Sequence, residues 1–205
     1  EGARRIVVTG GPGAGKTAIL ELVRRTFCSH VEVLPEAASV VFRGGFPRRA
    51  GERERRAAQR AIFHVELELE RVADARDDLA LLLCDRGTLD GLAYWPGDPA
   101  DLFADAGTTF ERELARYDAV VHLRTPTVEN GYHKDPIRLE SARQAVAIDE
   151  RLLDVWSTHP RRVVIDSTPD FLTKARRAIG VLAAELPPPC AAALGAGLNN
   201  GSGRT

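Results

Sequence analysis

Residues 10–17 read Gly-Gly-Pro-Gly-Ala-Gly-Lys-Thr and fill the pattern G-x-x-x-x-G-K-[ST] completely. That spacing suits one kind of chemistry. Gly11, Gly13 and Gly15, with Pro12 and Ala14 between them, let the backbone turn tightly and aim its N–H groups at phosphates lying at a helix N-terminus. Lys16 adds a point charge over the β- and γ-phosphates, and the Thr17 hydroxyl can join a Mg²⁺ shell. The expected ligand is a nucleoside triphosphate, ATP or GTP, with Mg²⁺.

Other charged residues stand where such a ligand would need them. Asp85 ends the apolar run Leu79–Cys84, the place where a nucleotide-binding sheet sets its Mg²⁺-holding acid; an ordinary strand-end aspartate is the alternative. Arg86 next to it either holds a phosphate or substrate hydroxyl, or simply partners Asp85. Glu36 follows a short β-branched run. It either accepts the proton of an attacking hydroxyl or complements the dipole of a following helix. Phosphoryl transfer also asks for lid cations, and Arg138, Lys134 and Arg124 are the candidates.

Five apolar runs, at 5–9, 31–34, 79–84, 118–123 and 161–165, have strand length. Helical stretches around 16–27, 52–76, 108–116, 138–157 and 169–186 separate them. The alternation predicts an α/β fold: a three-layer αβα sandwich of the P-loop NTPase type, with five mostly parallel strands. Ligands in such sheets gather at the carboxyl ends of the strands, the ends that carry Gly10–Thr17, Glu36 and Asp85-Arg86. Within 52–76, Ile62, Val65, Leu69 and Val72 form a stripe expected to pack on the sheet. Residues 1–186 are expected to form one domain, and the Pro- and Gly-rich residues 187–205 a disordered tail.

The net charge of −1, with 28 % charged residues, gives no broad basic field for nucleic acid. Arginines do crowd between Arg43 and Arg60, where a solvated helix start competes with contact to a polyanion or a lipid-phosphate surface. No run is long and apolar enough for a transmembrane helix, and no signal-peptide pattern opens the chain. Cys28, Cys84 and Cys190 lack C-x-x-C spacing and the histidines are scattered, which argues against a zinc site and for free thiols in the cytoplasm.

Taken together, these motifs resemble the P-loop kinase group that contains deoxynucleoside kinases, nicotinamide riboside kinases and AAA-type ATP/GTP-binding proteins, over roughly residues 4–180. Val31–Glu36 looks like the strand that ends at the catalytic Glu, and Gln59–Phe63 resembles the helix whose Gln reads the substrate base. Asp85-Arg86-Gly87-Thr88 stands in place of the acidic-Arg-Ser element, with Gly87 replacing the small hydroxyl residue. Pro136-Ile137-Arg138 tracks the lid. The resemblance implies a small-molecule kinase: ATP·Mg²⁺ on Gly11–Thr17 and Asp85, an acceptor hydroxyl between Glu36, Gln59 and Arg86, and Arg138 closing over the phosphates. The competing expectation is an NTPase switch that acts through a partner. A homodimer is compatible with either.

Overall fold

The computed structural model describes residues 2–126 and 142–192. Five strands build one all-parallel sheet: β1 (Arg4–Thr9), β2 (Val31–Leu34), β3 (Leu81–Asp85), β4 (Ala119–Leu123) and β5 (Arg162–Ile165). Their order is β2-β3-β1-β4-β5, with β1 pairing in parallel to β3 on one side and β4 on the other. The helices are α1 (Lys16–Thr26), α2 (Ala37–Arg43), α3 (Glu52–Asp74), α4 (Pro99–Ala106), α5 (Phe110–Leu114), α6 (Ala142–Val155) and α7 (Phe171–Ala183), plus a 3₁₀ helix at Thr88–Ala93.

Successive strand residues point to opposite faces, and both faces are covered. Ile6, Val8, Leu81, Leu83, Val121 and Leu123 meet Ile19, Leu20 and Val23 of α1 and Ala175, Ala178 and Leu182 of α7. Val7, Leu82, Cys84 and Val120 face Ala73 of α3, Leu89 of the 3₁₀ helix, Phe103 of α4 and Trp156 beyond α6. The central strands therefore read as unbroken apolar runs, and burial on both sides fixes the direction in which each strand exit projects.

The helices differ from expectation in three respects. On α3 the buried residues are Ala58, Phe63, Glu66, Glu70 and Ala73, whereas Val72 of the anticipated stripe is 72 % exposed. The face toward the sheet is thus rotated by about one residue and carries two carboxylates. Helix α4 and the 3₁₀ helix fall between the expected helical stretches, and α2 is the following helix that the dipole alternative for Glu36 requires. Yet α4 has clear sequence signals: Asp98 accepts from Ala100 N at its start, Pro99 opens it and Gly107 ends it in a left-handed turn. Finally, the segment after 186 begins as structure. Residues 188–192 are helical, and Cys190 is buried in the same apolar cluster as α1 and α7.

Candidate functional site

Gly10–Thr17 crosses from β1 to α1 in a conformation that only its glycines allow. Gly10 has φ +134°, and a Cβ there would lie 2.1 Å from the Leu123 carbonyl oxygen. At Gly11 a Cβ would come within 2.4 Å of Thr125 Oγ1 and 2.9 Å of the Ala145 carbonyl oxygen and Asp149 Cβ. Gly15 caps α1 in the left-handed region. Buried Lys16 folds back over this loop, its ammonium donating to the carbonyls of Gly10 at 2.7 Å and Gly11 at 3.3 Å. Thr17 stands exposed in the first turn of α1.

Two residues absent from the sequence reading hold the loop from behind. Asp149 Oδ1 accepts from Gly11 N and faces His122 Nε2, each at 2.9 Å. Burial opposes its charge, but these bonds keep the Asp149 carboxyl below the usual range. Lys174 of α7 donates to the Ala14 carbonyl at 2.8 Å and the Arg124 carbonyl at 2.5 Å, tying the loop to the exit of β4; burial pulls its pKa down to about 8. Arg124, one of the lid candidates, is occupied by Asp149 at 3.1 Å and by Glu150. Arg138 and Lys134 lie outside the described residues.

The exits of β2 and β3 meet beside the loop. Arg86 adopts φ +81°, a strained left-handed backbone for an arginine. Its side chain does not partner Asp85. Instead Nε donates to Glu36 Oε1 at 2.9 Å, Nη1 reaches Asp90 Oδ2 at 3.3 Å, and the guanidinium lies 5.7 Å from the centre of the Tyr94 ring. Asp90 is itself anchored by Thr9 Oγ1 and Trp156 Nε1, both at 2.7 Å. The arginine is therefore held rigidly, and its pKa stays well above the ordinary value despite burial, under the influence of Tyr94, Glu36 and Asp90.

Glu36 is the residue preceding α2, and its side chain makes no N-cap bond to that helix. Ser39 Oγ donates to its second oxygen at 2.5 Å. Burial alone would raise its pKa, but Arg86, Lys16 and Ser39 together hold it at about 2. Glu36 is thus a firmly ionised carboxylate at the rim, with 20 % of its side chain open to solvent.

Asp85 is its counterpart inside. Burial raises its pKa, opposed by the charge of Lys16 and reinforced by that of Glu36. Its Oδ1 is buried and finds no hydrogen-bond partner among the described residues. Leaving a carboxylate oxygen unpaired in the interior is costly, and a divalent cation would relieve that cost. Asp85 and the exposed Thr17 hydroxyl are the hard oxygen donors that Mg²⁺ prefers, so these residues fit it.

Gln59 faces the same wall: a Cβ on Gly91, the residue after Asp90, would meet Gln59 Oε1 at 3.2 Å. Two turns further along the α3 face, the Oε1 of buried Glu66 has no hydrogen-bond partner among the described residues. Burial, with the charges of Glu70, Asp90 and Asp85, pushes its pKa well up and favours the protonated acid. Nearby Glu70 is paired with Arg116 and accepts from Tyr117 Oη at 2.8 Å. A carboxylate on a predicted helix reads as solvated, so nothing in the sequence marked either.

The arginines between 43 and 60 are partly committed within the fold. Arg56 pairs with Asp101 at 2.9 Å and lies over the Trp95 ring, and Arg60 pairs with Asp105 at 2.8 Å.

A family model described as AAA domain matches residues 5–174. The chain belongs to that AAA-domain family. Its fold is that of P-loop kinases. Deoxyadenosine kinase from M. mycoides with bound dATP superposes with a TM-score of 0.58 at 15 % identity, over 87 % of this chain and 98 % of that one. Thymidylate kinase from Candida albicans gives 0.58 at 14 %, over 90 % and 93 %. NadR in complex with NAD and AMP-PNP gives 0.59 at 14 %, over 89 % of this chain but 49 % of NadR. No curated protein matches the chain in sequence. Among the described residues no helix is long and apolar enough to cross a membrane.

Proposed function

We propose that this AAA-domain protein is a phosphotransferase that moves the γ-phosphoryl group of ATP to a hydroxyl of a nucleoside-like small molecule. The observation that carries the reading is the Glu36–Arg86 pair: an ionised carboxylate and a rigid guanidinium, 2.9 Å apart, beside the loop that holds Lys16.

In this reading the loop amides and Lys16 bind the triphosphate, with Lys16 exchanging its carbonyl partners for phosphate oxygens. Mg²⁺, when bound, neutralises charge on the β- and γ-phosphates, and Asp85 and Thr17 are the residues that would hold it. Glu36 orients the acceptor hydroxyl and takes its proton. A carboxylate with a pKa near 2 is a weak base, which suits a loose transition state in which the attacking oxygen sheds its proton late. Arg86 positions Glu36 and offers its remaining N–H groups to the acceptor. Gln59 contacts the acceptor's polar edge, and Arg138 supplies the lid cation. The neighbours support a nucleoside-like acceptor, since one holds dATP and another NAD with AMP-PNP.

The test is ADP production with Mg²⁺ and a panel of nucleosides and hydroxylated metabolites. The reading requires at least one acceptor to raise the rate above the acceptor-free background. Tight nucleotide binding with no stimulation by any acceptor would instead favour an NTPase switch.

A further inference from the structure

Cysteine and histidine positions far apart in sequence converge at the other end of the sheet. Cys28 lies in the turn between α1 and β2, His30 immediately precedes β2, and Cys190 sits in the helical turn that follows α7. One ligand atom from each lies within 4.8 Å of the other two. Cys190 Sγ stands 3.6 Å from His30 Nδ1, and both cysteines are free thiols.

We infer that Cys28, His30 and Cys190 form a binding site for a thiophilic divalent cation of the zinc class, with water as the fourth ligand. The geometry fits. Tetrahedral zinc, with bonds of about 2.3 Å to sulfur and about 2.0–2.1 Å to nitrogen, separates neighbouring S and N ligands by about 3.6 Å and two sulfurs by about 3.8 Å. The observed S···N separation equals the first figure, and the 4.8 Å limit admits the second.

The backbone is already set for this arrangement. Val31 N donates to the Cys28 carbonyl at 3.1 Å, closing the turn that carries Cys28 and His30. The His30 carbonyl accepts from Ala80 N at 2.8 Å and Leu81 N at 3.1 Å, and Cys190 N donates to the Pro187 carbonyl at 3.0 Å. Access is graded: Cys190 is buried, Cys28 half-buried and His30 exposed, so one side stays open for the ion and its water. Binding releases one proton from each thiol. Two thiolates, a neutral imidazole and a divalent ion then sum to zero charge, which suits the apolar cluster that Cys190 joins. The site would pin the C-terminal turn to the start of β2, and it is independent of the glycine loop.

Cobalt and zinc ions are the probes. Reduced, metal-free full-length protein titrated with Co²⁺ should develop thiolate-to-metal charge-transfer absorption that saturates at one equivalent and is displaced by one equivalent of Zn²⁺. Cys28→Ser and His30→Ala, at positions that are not fully buried, should weaken binding at least tenfold while leaving the far-UV spectrum unchanged. Zn²⁺ should raise the Tm of the wild type but not of these variants. Absence of the charge-transfer band, a band in Cys28→Ser of the same intensity and the same affinity as in the wild type, or a Cys28–Cys190 disulfide in protein kept with Zn²⁺ would each overturn the proposal.

Discussion

Arg86 Nε and Glu36 Oε1 stand 2.9 Å apart, joining the exit of β3 to the residue that opens α2. The pair, with Lys16 and Ser39, keeps Glu36 ionised near neutrality although much of it is buried. Burial is the largest influence on Glu36 and acts upward, and removing the arginine takes away the largest of the influences that oppose it, leaving Lys16 and Ser39. In Arg86→Met the carboxyl should titrate at higher pH than in the wild type. The profile of kcat/KM against pH should then show an acid limb in the range where the wild type is flat, on top of a lower plateau. Identical acid limbs in the two proteins would dissociate Glu36 from Arg86.

The same shift predicts how stability responds to acid. Glu36 has a folded pKa of about 2 against an ordinary 4.5, so the folded state prefers the ionised form. Its contribution is complete above the ordinary value and disappears as the pH falls through the folded one. The linkage is worth on the order of 3 kcal/mol. Urea denaturation of wild type and Glu36→Gln should show a stability gap near neutrality that closes at about pH 2–3. A gap that stays constant across this range would contradict the assignment.

Gly10 and Gly11 are predicted to be irreplaceable for steric reasons. Alanine at either position drives a methyl against backbone or side-chain atoms at 2.1–2.4 Å, far inside van der Waals contact. Gly11→Ala should displace Asp149 and lose nucleotide binding measured by calorimetry. Lys16→Ala, which keeps every glycine of the loop but removes a charged donor, should weaken ATP binding by roughly 10- to 100-fold, the equivalent of about 1.5–3 kcal/mol. Comparable losses at Gly11 and Lys16 with the fold intact would mean that the loop's shape matters no more than its charge.

The buried carboxylates of α3 should respond in opposite ways. Glu66 favours the protonated acid and has an unpartnered oxygen, so Glu66→Gln, which keeps its shape, should change stability by less than about 1 kcal/mol. Glu70 carries Arg116 and Tyr117, and Glu70→Ala should cost about 3 kcal/mol by taking the main counter-charge from a partly buried guanidinium, which among the described residues keeps only Glu113 at 3.5 Å. Thermal and urea unfolding of the two variants distinguishes these outcomes.

These contrasts show what the sequence could reveal. Strands β1, β3 and β4 were legible because both their faces are buried, and apolar runs next to glycine or aspartate leave little choice of element. The meeting of Lys16, Glu36, Asp85 and Arg86 at one edge follows from parallel topology, which brings strand exits together regardless of separation along the chain. The phase of α3 was misread because Glu66 and Glu70 occupy its inner face, and a charged side chain counts as solvent-facing until its partners are known. Lys174 and Asp149 escaped notice because their partners are backbone groups of the glycine loop, contacts that leave no mark on residue type. The gathering of Cys28, His30 and Cys190 escaped for the same reason: spacing along a chain says nothing of distance across a sheet. Helix α4 lies outside the expected helical stretches although Asp98-Pro99 and Gly107 are start and stop signals for it.

The central claim concerns where the terminal phosphoryl group goes, and following a radiolabelled γ-phosphoryl group tests it most directly. With ATP, Mg²⁺ and a stimulating acceptor, the label should appear on the acceptor as a phosphate ester. Glu36→Gln should slow that transfer by roughly 10²–10⁴-fold while binding ATP as tightly as the wild type. Label recovered solely as inorganic phosphate, at a rate indifferent to acceptor and to Glu36, would contradict the account.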